Sequence, residues 1–180
     1  MTASGTLRTI GVVLMGVWGA VATLFVAGEA FTDPGGAAAW GMTAAWVVPM
    51  LALAWLAWRD PEPLATRVLA GAVGLVCLGW VAYVAFPGWW RDVFDRFGPV
   101  LAVAGLAATV PLGALGRRRP AVAGWLLVVA AAVPWLALLL AEGSAGVGRS
   151  ATIASIPDLL VGGCFLLAAS FERGGGGATR

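Results

Sequence analysis

The stretch RTIGVVLMGVWGAVATLFVAG, from Arg8 to Gly28, decides the fold class, because its only charged residue is the first one. A helix of about 20 apolar residues is long enough to cross the hydrocarbon core of a bilayer. The run is longer than the apolar part of a signal peptide, lacks a clean cleavage site and is followed at once by further apolar runs. We therefore interpret it as a retained membrane anchor.

The rest of the chain has the composition of a protein that is surrounded by lipid. It is 61% hydrophobic and 11% charged, whereas soluble domains carry about a quarter charged residues. Turn-forming segments separate six predicted spans, at residues 8–28, 38–58, 67–86, 99–115, 121–141 and 154–171. The sequence thus predicts an all-α polytopic membrane protein, with one six-helix domain over residues 1–172 and a flexible cytoplasmic tail at 173–180.

Missing residue types restrict the chemistry. The sequence contains no Lys, His, Asn or Gln, and all 11 basic residues are Arg. A Schiff-base or P-loop lysine, a His-ligated haem or copper site and a His general base are therefore excluded. Cys77 and Cys164 alone cannot form a thiolate metal site. We expect no cofactor and no metal, and the net charge of +2 disfavours a nucleic-acid partner.

The arginines fall mainly on one side of the predicted spans. If the N-terminus is cytoplasmic, eight arginines lie in inside segments, and only Arg91, Arg96 and Arg149 lie outside. Because arginine accumulates in cytoplasmic loops, both termini are predicted to be cytoplasmic. The Arg-only basicity and the excess of Ala, Gly, Val and Trp are typical of GC-rich coding sequences, so we expect a bacterial plasma membrane.

The loop GWWRDVFDRFG, from Gly88 to Gly98, is the densest cluster of charges and aromatic residues. Trp90, Phe94 and Phe97 recur at helical spacing, and most of the charges fall off their stripe. The pattern predicts a short amphipathic helix in the outer interface, between spans three and four. It is either a strut between spans or a lid over a lateral opening.

Three prolines, Pro49, Pro111 and Pro134, fall within predicted spans, where each removes an amide hydrogen and frees a carbonyl. The deep indoles of Trp46 and Trp135 are candidate donors to such carbonyls, or they line a cavity. VPMLAL at 48–53 and VPWLAL at 133–138 also suggest a 3+3 inverted repeat, which is typical of secondary transporters. In so restricted an alphabet, such matches also arise by chance.

The acidic residues are all placed at or beyond span ends. Glu29 closes span one, and Asp158 opens span six, where SIPD (155–158) is predicted to be a helix start with Ser155 as N-cap. An outer acidic ring would attract cations, or it is ordinary loop polarity. Small residues four apart, such as Gly16 and Ala20, permit close helix packing.

Three classes of function remain open. The absent catalytic residue types and the absent midplane charge favour a non-catalytic accessory or regulatory subunit, docked on another membrane protein or on a second copy. The possible repeat and the kinked, Trp-lined spans favour a small transporter or channel for an apolar, neutral or cationic solute. Its candidate solute residues are Trp46, Trp135, Glu29 and Asp158. An enzyme acting on lipid headgroups is the third class. The first class is preferred.

Overall fold

The computed structural model describes residues 2–33, 35–59, 63–86, 88, 108–140 and 145–175. Within these ranges the chain forms helices and no strands, which confirms the predicted all-α class. The helices are α1 (Ala3–Thr32), α2 (Gly36–Arg59), α3 (Pro63–Ala85), α4 (Val110–Gly116), α5 (Pro120–Leu140) and α6 (Ala145–Gly175).

Five of the described helices, α1, α2, α3, α5 and α6, are long and apolar enough to cross a membrane. They match predicted spans one, two, three, five and six, and they indicate a multi-pass membrane protein. For the predicted fourth span, the described part contains only the seven-residue α4 and the two residues before it. Residues 99–107 lie outside the described ranges. So do Trp90, Phe94 and Phe97 of the predicted interfacial helix.

The helix ends follow from backbone chemistry. The Thr2 hydroxyl caps α1 by accepting a hydrogen bond from the Gly5 amide at 3.3 Å. Between α1 and α2, Gly35 and Gly36 have φ values of 68° and 57°, a left-handed conformation that glycine adopts without steric penalty. α3 and α5 begin at Pro63 and Pro120, where the missing amide hydrogen has no helical partner to lose.

The start of α6 corrects the sequence analysis. The helix begins at Ala145, so Ser155 and Pro157 lie in its interior, and the prediction that Ser155 is an N-cap is wrong. Asp158 accordingly lies inside a span and does not open one. In apolar surroundings the backbone must satisfy its own hydrogen bonds, so a helix continues through residues that would end it in water. α6 also continues to Gly175, into the predicted tail.

Of the three prolines that were predicted to kink a helix, two lie inside helices and one lies at a helix start. Pro49 and Pro134 lie inside α2 and α5, as predicted. Pro111 lies in the first turn of α4, where a proline leaves no helical hydrogen bond unmade. The predicted kink at Pro111 is therefore not found in the described helix.

Two glycines allow α5 and α6 to pack closely together. A Cβ atom placed on Gly162 would lie 3.1 Å from the carbonyl oxygen of Gly124, and one on Gly124 would lie 3.0 Å from that of Gly162. The two backbones therefore approach each other directly, as is common where membrane helices associate through small residues. Gly124 faces Leu166, and further along Trp135 faces Ser155, so the two helices run antiparallel.

Glycines on α1 and α4 complete the core around Phe165. The Phe165 ring is fully buried, and it occupies the space that side chains at Gly11 and Gly116 would need. Gly113 packs against Met15 in the same way, and Gly19 against Val110. α4 is thereby held against α1, and this contact fixes the position of the residues just before α4.

Arginines gather at one end of the bundle, where α1 begins and α6 ends. Arg8 forms an ion pair with Glu172 and donates a hydrogen bond to the carbonyl oxygen of Arg117 at 3.0 Å. The guanidinium of Arg117 lies 4.3 Å from the ring centre of Trp58, at the end of α2. The start of α1, the end of α2, the α4–α5 turn and the end of α6 thus meet at one surface.

Candidate functional site

The described part of the chain contains a fully buried carboxyl group within a span. Asp158 has no exposed surface, and it lies in the apolar segment Ile153–Gly174 of α6. Its neighbour Pro157 lines a groove together with Trp18, which is close to the middle of α1. Along the helix axis, this turn of α6 therefore lies level with the middle of α1. The side chain is therefore far from the loop environment that the sequence analysis assigned to it.

Among the described residues, one hydrogen-bond donor contacts the Asp158 carboxyl group. The Thr109 hydroxyl donates to its Oδ1 atom at 3.0 Å, and Thr109 is itself fully buried. Its Oδ2 atom is also buried, and no described residue hydrogen-bonds to it. A buried carboxylate normally has all of its lone pairs satisfied, so an open oxygen at this position requires an explanation.

Local structure explains how the Thr109 hydroxyl is directed at Asp158. Thr109 precedes α4 in an α-helical conformation, and its side chain caps no amide of its own helix. Its carbonyl accepts from the Leu112 amide at 2.9 Å, which turns the chain into α4. Val110 is fixed on Gly19 of α1, and the hydroxyl is therefore held towards α6.

A second polar contact lies one turn away on the same face of α6. The indole Nε1 of Trp135 donates to the Ser155 hydroxyl at 2.8 Å. Ser155 is fully buried and precedes Asp158 by three residues, so both side chains project from one face of the helix. We refer to Thr109, Trp135, Ser155 and Asp158 as the Asp158 cluster; it joins α5, α6 and the segment before α4.

Each of the two spanning helices that contribute to this cluster contains a proline next to a cluster residue. Pro134 precedes Trp135 in α5, and Pro157 precedes Asp158 in α6. Each lacks an amide hydrogen, so the carbonyls of Ala130 and Ile153 lose their usual helical donors. The cluster thus combines a carboxyl and two hydroxyls, and in each spanning helix a proline next to it leaves one backbone carbonyl without its usual helical donor.

An apolar groove of about 220 Å³ lies next to the Asp158 cluster, between α1 and α6. Its lining consists of Leu14, Val17, Trp18, Val21, Pro157, Leu160 and Val161. The Nε1 atom of Trp18 is buried and has no hydrogen-bond partner among the described residues. The surface that the groove presents is therefore almost entirely apolar.

The structure brings together two of the four predicted solute residues. Asp158 and Trp135 belong to one cluster, although Trp135 bonds to Ser155 and not to a carbonyl freed by proline. Glu29 is exposed in the last turn of α1, about 16 Å along the helix from Trp18. Trp46 is half-buried on α2, and its Nε1 atom has no described partner.

Sequence reasoning missed Thr109 and Ser155. Ser155 carried a detectable signal, since it lies one helical turn before Asp158 and would share its face if the helix began earlier. Thr109 carried no comparable signal, because its partner is 49 residues away and depends on how α4 packs.

The fold and the site define a helical multi-pass membrane protein with a carboxyl group buried in a span. Comparison of the chain with known protein families, with curated proteins and with solved structures finds no match.

Proposed function

We propose that this protein is a small transporter or channel in which Asp158 binds a proton or a small cation. The observation that carries the proposal is the fully buried carboxyl inside α6, whose Oδ2 atom has no described hydrogen-bond partner. Ionisable side chains inside the bilayer are rare, and they commonly mark ion pathways and proton relays. We therefore prefer this function to the non-catalytic subunit, since one of the two grounds for that prediction was that all acids lie at span ends.

The negative charge of an ionised Asp158 favours a proton or a small cation as its ligand. A carboxylate removed from water is costly unless it is paired. Thr109 supplies one hydrogen bond, and Asp158 forms no ion pair among the described residues. A proton on Oδ2, or a cation held by Oδ2 and neighbouring oxygens, would balance the charge. Because oxygen ligands suit hard cations, the candidates are a proton and small hard cations.

The two prolines beside the site supply a means of movement. Helices bend most readily where a proline interrupts the backbone hydrogen bonds, and Pro134 and Pro157 lie next to Trp135 and Asp158. In the proposed cycle, α5 and α6 bend at these points and expose Asp158 to one side of the membrane at a time. The groove beside Trp18 and Pro157 holds an apolar solute whose movement is coupled to the ion at Asp158.

The proposal includes six spans, with residues 99–115 as the fourth, and an interfacial helix at 88–98. Both termini are cytoplasmic in a bacterial plasma membrane, which is supported by the arginine cluster where α1 begins and α6 ends. A 3+3 inverted repeat belongs to the same proposal. No catalytic step is proposed.

The test is ion movement in proteoliposomes that contain the purified protein and a trapped pH-sensitive dye. A sodium gradient, and separately a potassium-valinomycin potential, supplies the driving force. We expect proton movement above that of empty liposomes, and we expect Asp158→Asn to abolish it. Glu29→Gln is the matched control and should retain it, because Glu29 is exposed and distant. Equal rates for wild type and Asp158→Asn would contradict the proposal.

A second candidate, a subunit of a larger membrane complex, is favoured by the exposure of α2. Only 11% of its spanning segment is buried inside the protein, and Trp40 and Trp55 are 68% and 58% exposed. A large apolar face that the chain leaves uncovered contacts either lipid or another protein. Native mass spectrometry after mild extraction tests this function, which requires a stoichiometric second polypeptide that Trp55→Ala displaces.

A further inference from the structure

The arginine-rich end of the bundle contains a cleft that the proposed transport function does not use. Its volume is about 530 Å³, and it lies between the start of α1, the end of α2 and the α4–α5 turn. Arg8, Thr9, Val12, Val13, Trp58 and Arg117 line it. The cleft therefore has two guanidinium groups at the surface of the bundle and an apolar wall along α1.

The Arg117 charge is fixed in place but not neutralised by the described residues. Its guanidinium lies over the Trp58 ring at 4.3 Å, which restricts its position. Among the described residues the one ion pair is that of Arg8 with Glu172, so Arg117 has no acidic partner there. An oriented, unpaired guanidinium group is well suited to bind a phosphate oxygen pair.

Arg8 contributes to the wall of the cleft, but its own donors are occupied or buried. Its two terminal nitrogens are occupied by the Arg117 carbonyl and by Glu172. Its Nε atom is buried and has no hydrogen-bond partner among the described residues. Arg117 is therefore the principal donor of the cleft, and no acidic side chain is among its described lining residues.

The apolar wall extends towards the membrane-spanning part of α1. Val12 and Val13 follow Arg8 by one turn, and Val13 is 57% exposed on the outer face of the helix. A ligand with a phosphate group at Arg117 would therefore have an acyl chain alongside Val13. The neighbouring cleft of about 370 Å³ is less suitable, because Glu172 lies in its wall together with Arg119 and Arg173.

We infer that the Arg8–Arg117 cleft binds a phosphate-bearing anion at the membrane surface, either as the headgroup of an anionic lipid or as a soluble phosphate compound. Basic pockets between membrane helices bind phosphorylated headgroups through the same chemistry. The site is independent of Asp158, so its failure would leave the transport proposal unaffected.

The experiment compares lipid adducts by native mass spectrometry of the full-length protein in detergent. Phosphatidylglycerol and phosphatidylcholine are added at equal concentration, and the ratio of their adducts is measured. Wild type should prefer phosphatidylglycerol, and Arg117→Gln should lower that preference about fivefold, from one lost arginine contact at the surface. Arg118→Gln is the matched control, since it removes the same charge from the adjacent exposed residue outside the cleft, and it should have little effect.

Trp58→Leu provides a second variant that keeps every charge. It should lower the preference about twofold or more, because the ring that positions Arg117 is lost. Inorganic phosphate is titrated in parallel. If the protein shows no lipid preference but binds inorganic phosphate, and Arg117→Gln abolishes that binding, the site is supported with a soluble phosphate compound as its ligand. Equal behaviour of Arg117→Gln and Arg118→Gln in both arms would overturn the inference, as would the absence of binding in both arms.

Discussion

The contact between Gly124 and Gly162 leads to a quantitative prediction that two adjacent glycines can test. A Cβ atom at Gly162 would meet the Gly124 carbonyl oxygen at 3.1 Å, Val128 at 3.1 Å and Leu127 at 3.3 Å. A Cβ atom at Gly163 would meet nothing within 4 Å. Gly162→Ala should therefore destabilise the protein relative to Gly163→Ala.

Two contributions determine how the free energy of unfolding changes in these variants, and the first is the same for both and cancels in the comparison. Alanine is favoured over glycine in a helix by about 1 kcal/mol, and both variants gain this amount. Only Gly162→Ala introduces tight contacts between α6 and α5, and overpacking of this kind costs about 1–3 kcal/mol. Because one of its two nearest contacts is a backbone atom, a rotamer change alone cannot relieve the strain. The two variants should thus differ by about 1–3 kcal/mol in the free energy of unfolding.

The assay is unfolding of the reconstituted protein in mixed micelles, titrated with dodecyl sulfate and followed by tryptophan fluorescence. Gly124→Ala should resemble Gly162→Ala, because its Cβ would lie 2.8 Å from Leu166 and 3.0 Å from the Gly162 oxygen. The double variant should cost less than the sum of the single variants, since both disturb one contact. The reasoning is refuted if Gly162→Ala and Gly163→Ala agree within about 0.5 kcal/mol.

Three further predictions use the same titration. Thr109→Val removes the described donor to Asp158 and should cost about 1–3 kcal/mol, whereas Thr109→Ser should cost less; equal losses would contradict the hydrogen bond. Trp135→Phe removes the donor to Ser155 and should cost about 0.6–2 kcal/mol, and an unchanged midpoint would argue against that contact. Arg8→Gln and Glu172→Gln should show a coupling below about 1 kcal/mol in a double-mutant cycle, because the pair is 26% and 41% exposed; a larger value would indicate a buried pair.

The order and approximate position of five long helices follow from hydropathy alone. Spans one, two, three, five and six were predicted because an apolar run of about 20 residues has few alternatives to a membrane helix. The start of α6 was harder to predict from the sequence. Gly, Ser and Pro before Asp158 are typical of a loop in water, but the helix extends back to Ala145 in the structure. That difference of about two and a half turns converts Asp158 from a capping residue into a buried one.

The packing faces could not be read from the sequence. Helices that are apolar on every side give no periodic signal for the side that faces a neighbour. Close packing was expected at Gly16 and Ala20, yet a Cβ atom at Gly16 would meet nothing within 4 Å. Gly11, Gly116, Gly124 and Gly162 make the close contacts instead. The partner of Asp158 was unpredictable for the same reason, because Thr109 reaches it through the packing of α4 on α1.

Carbodiimide labelling of Asp158 tests the central claim most directly. Dicyclohexylcarbodiimide enters the bilayer and reacts with protonated carboxyl groups, so a carboxyl that exchanges protons or cations within a span becomes labelled and is protected by its ion. The protein is treated in liposomes, with and without Na⁺ and over a range of pH, and the modified peptides are quantified by mass spectrometry. The account predicts labelling at Asp158 that decreases with added Na⁺ or with rising pH, while Glu29 stays unlabelled. An Asp158 that remains unmodified under all of these conditions would indicate a sealed structural carboxyl and would contradict the account.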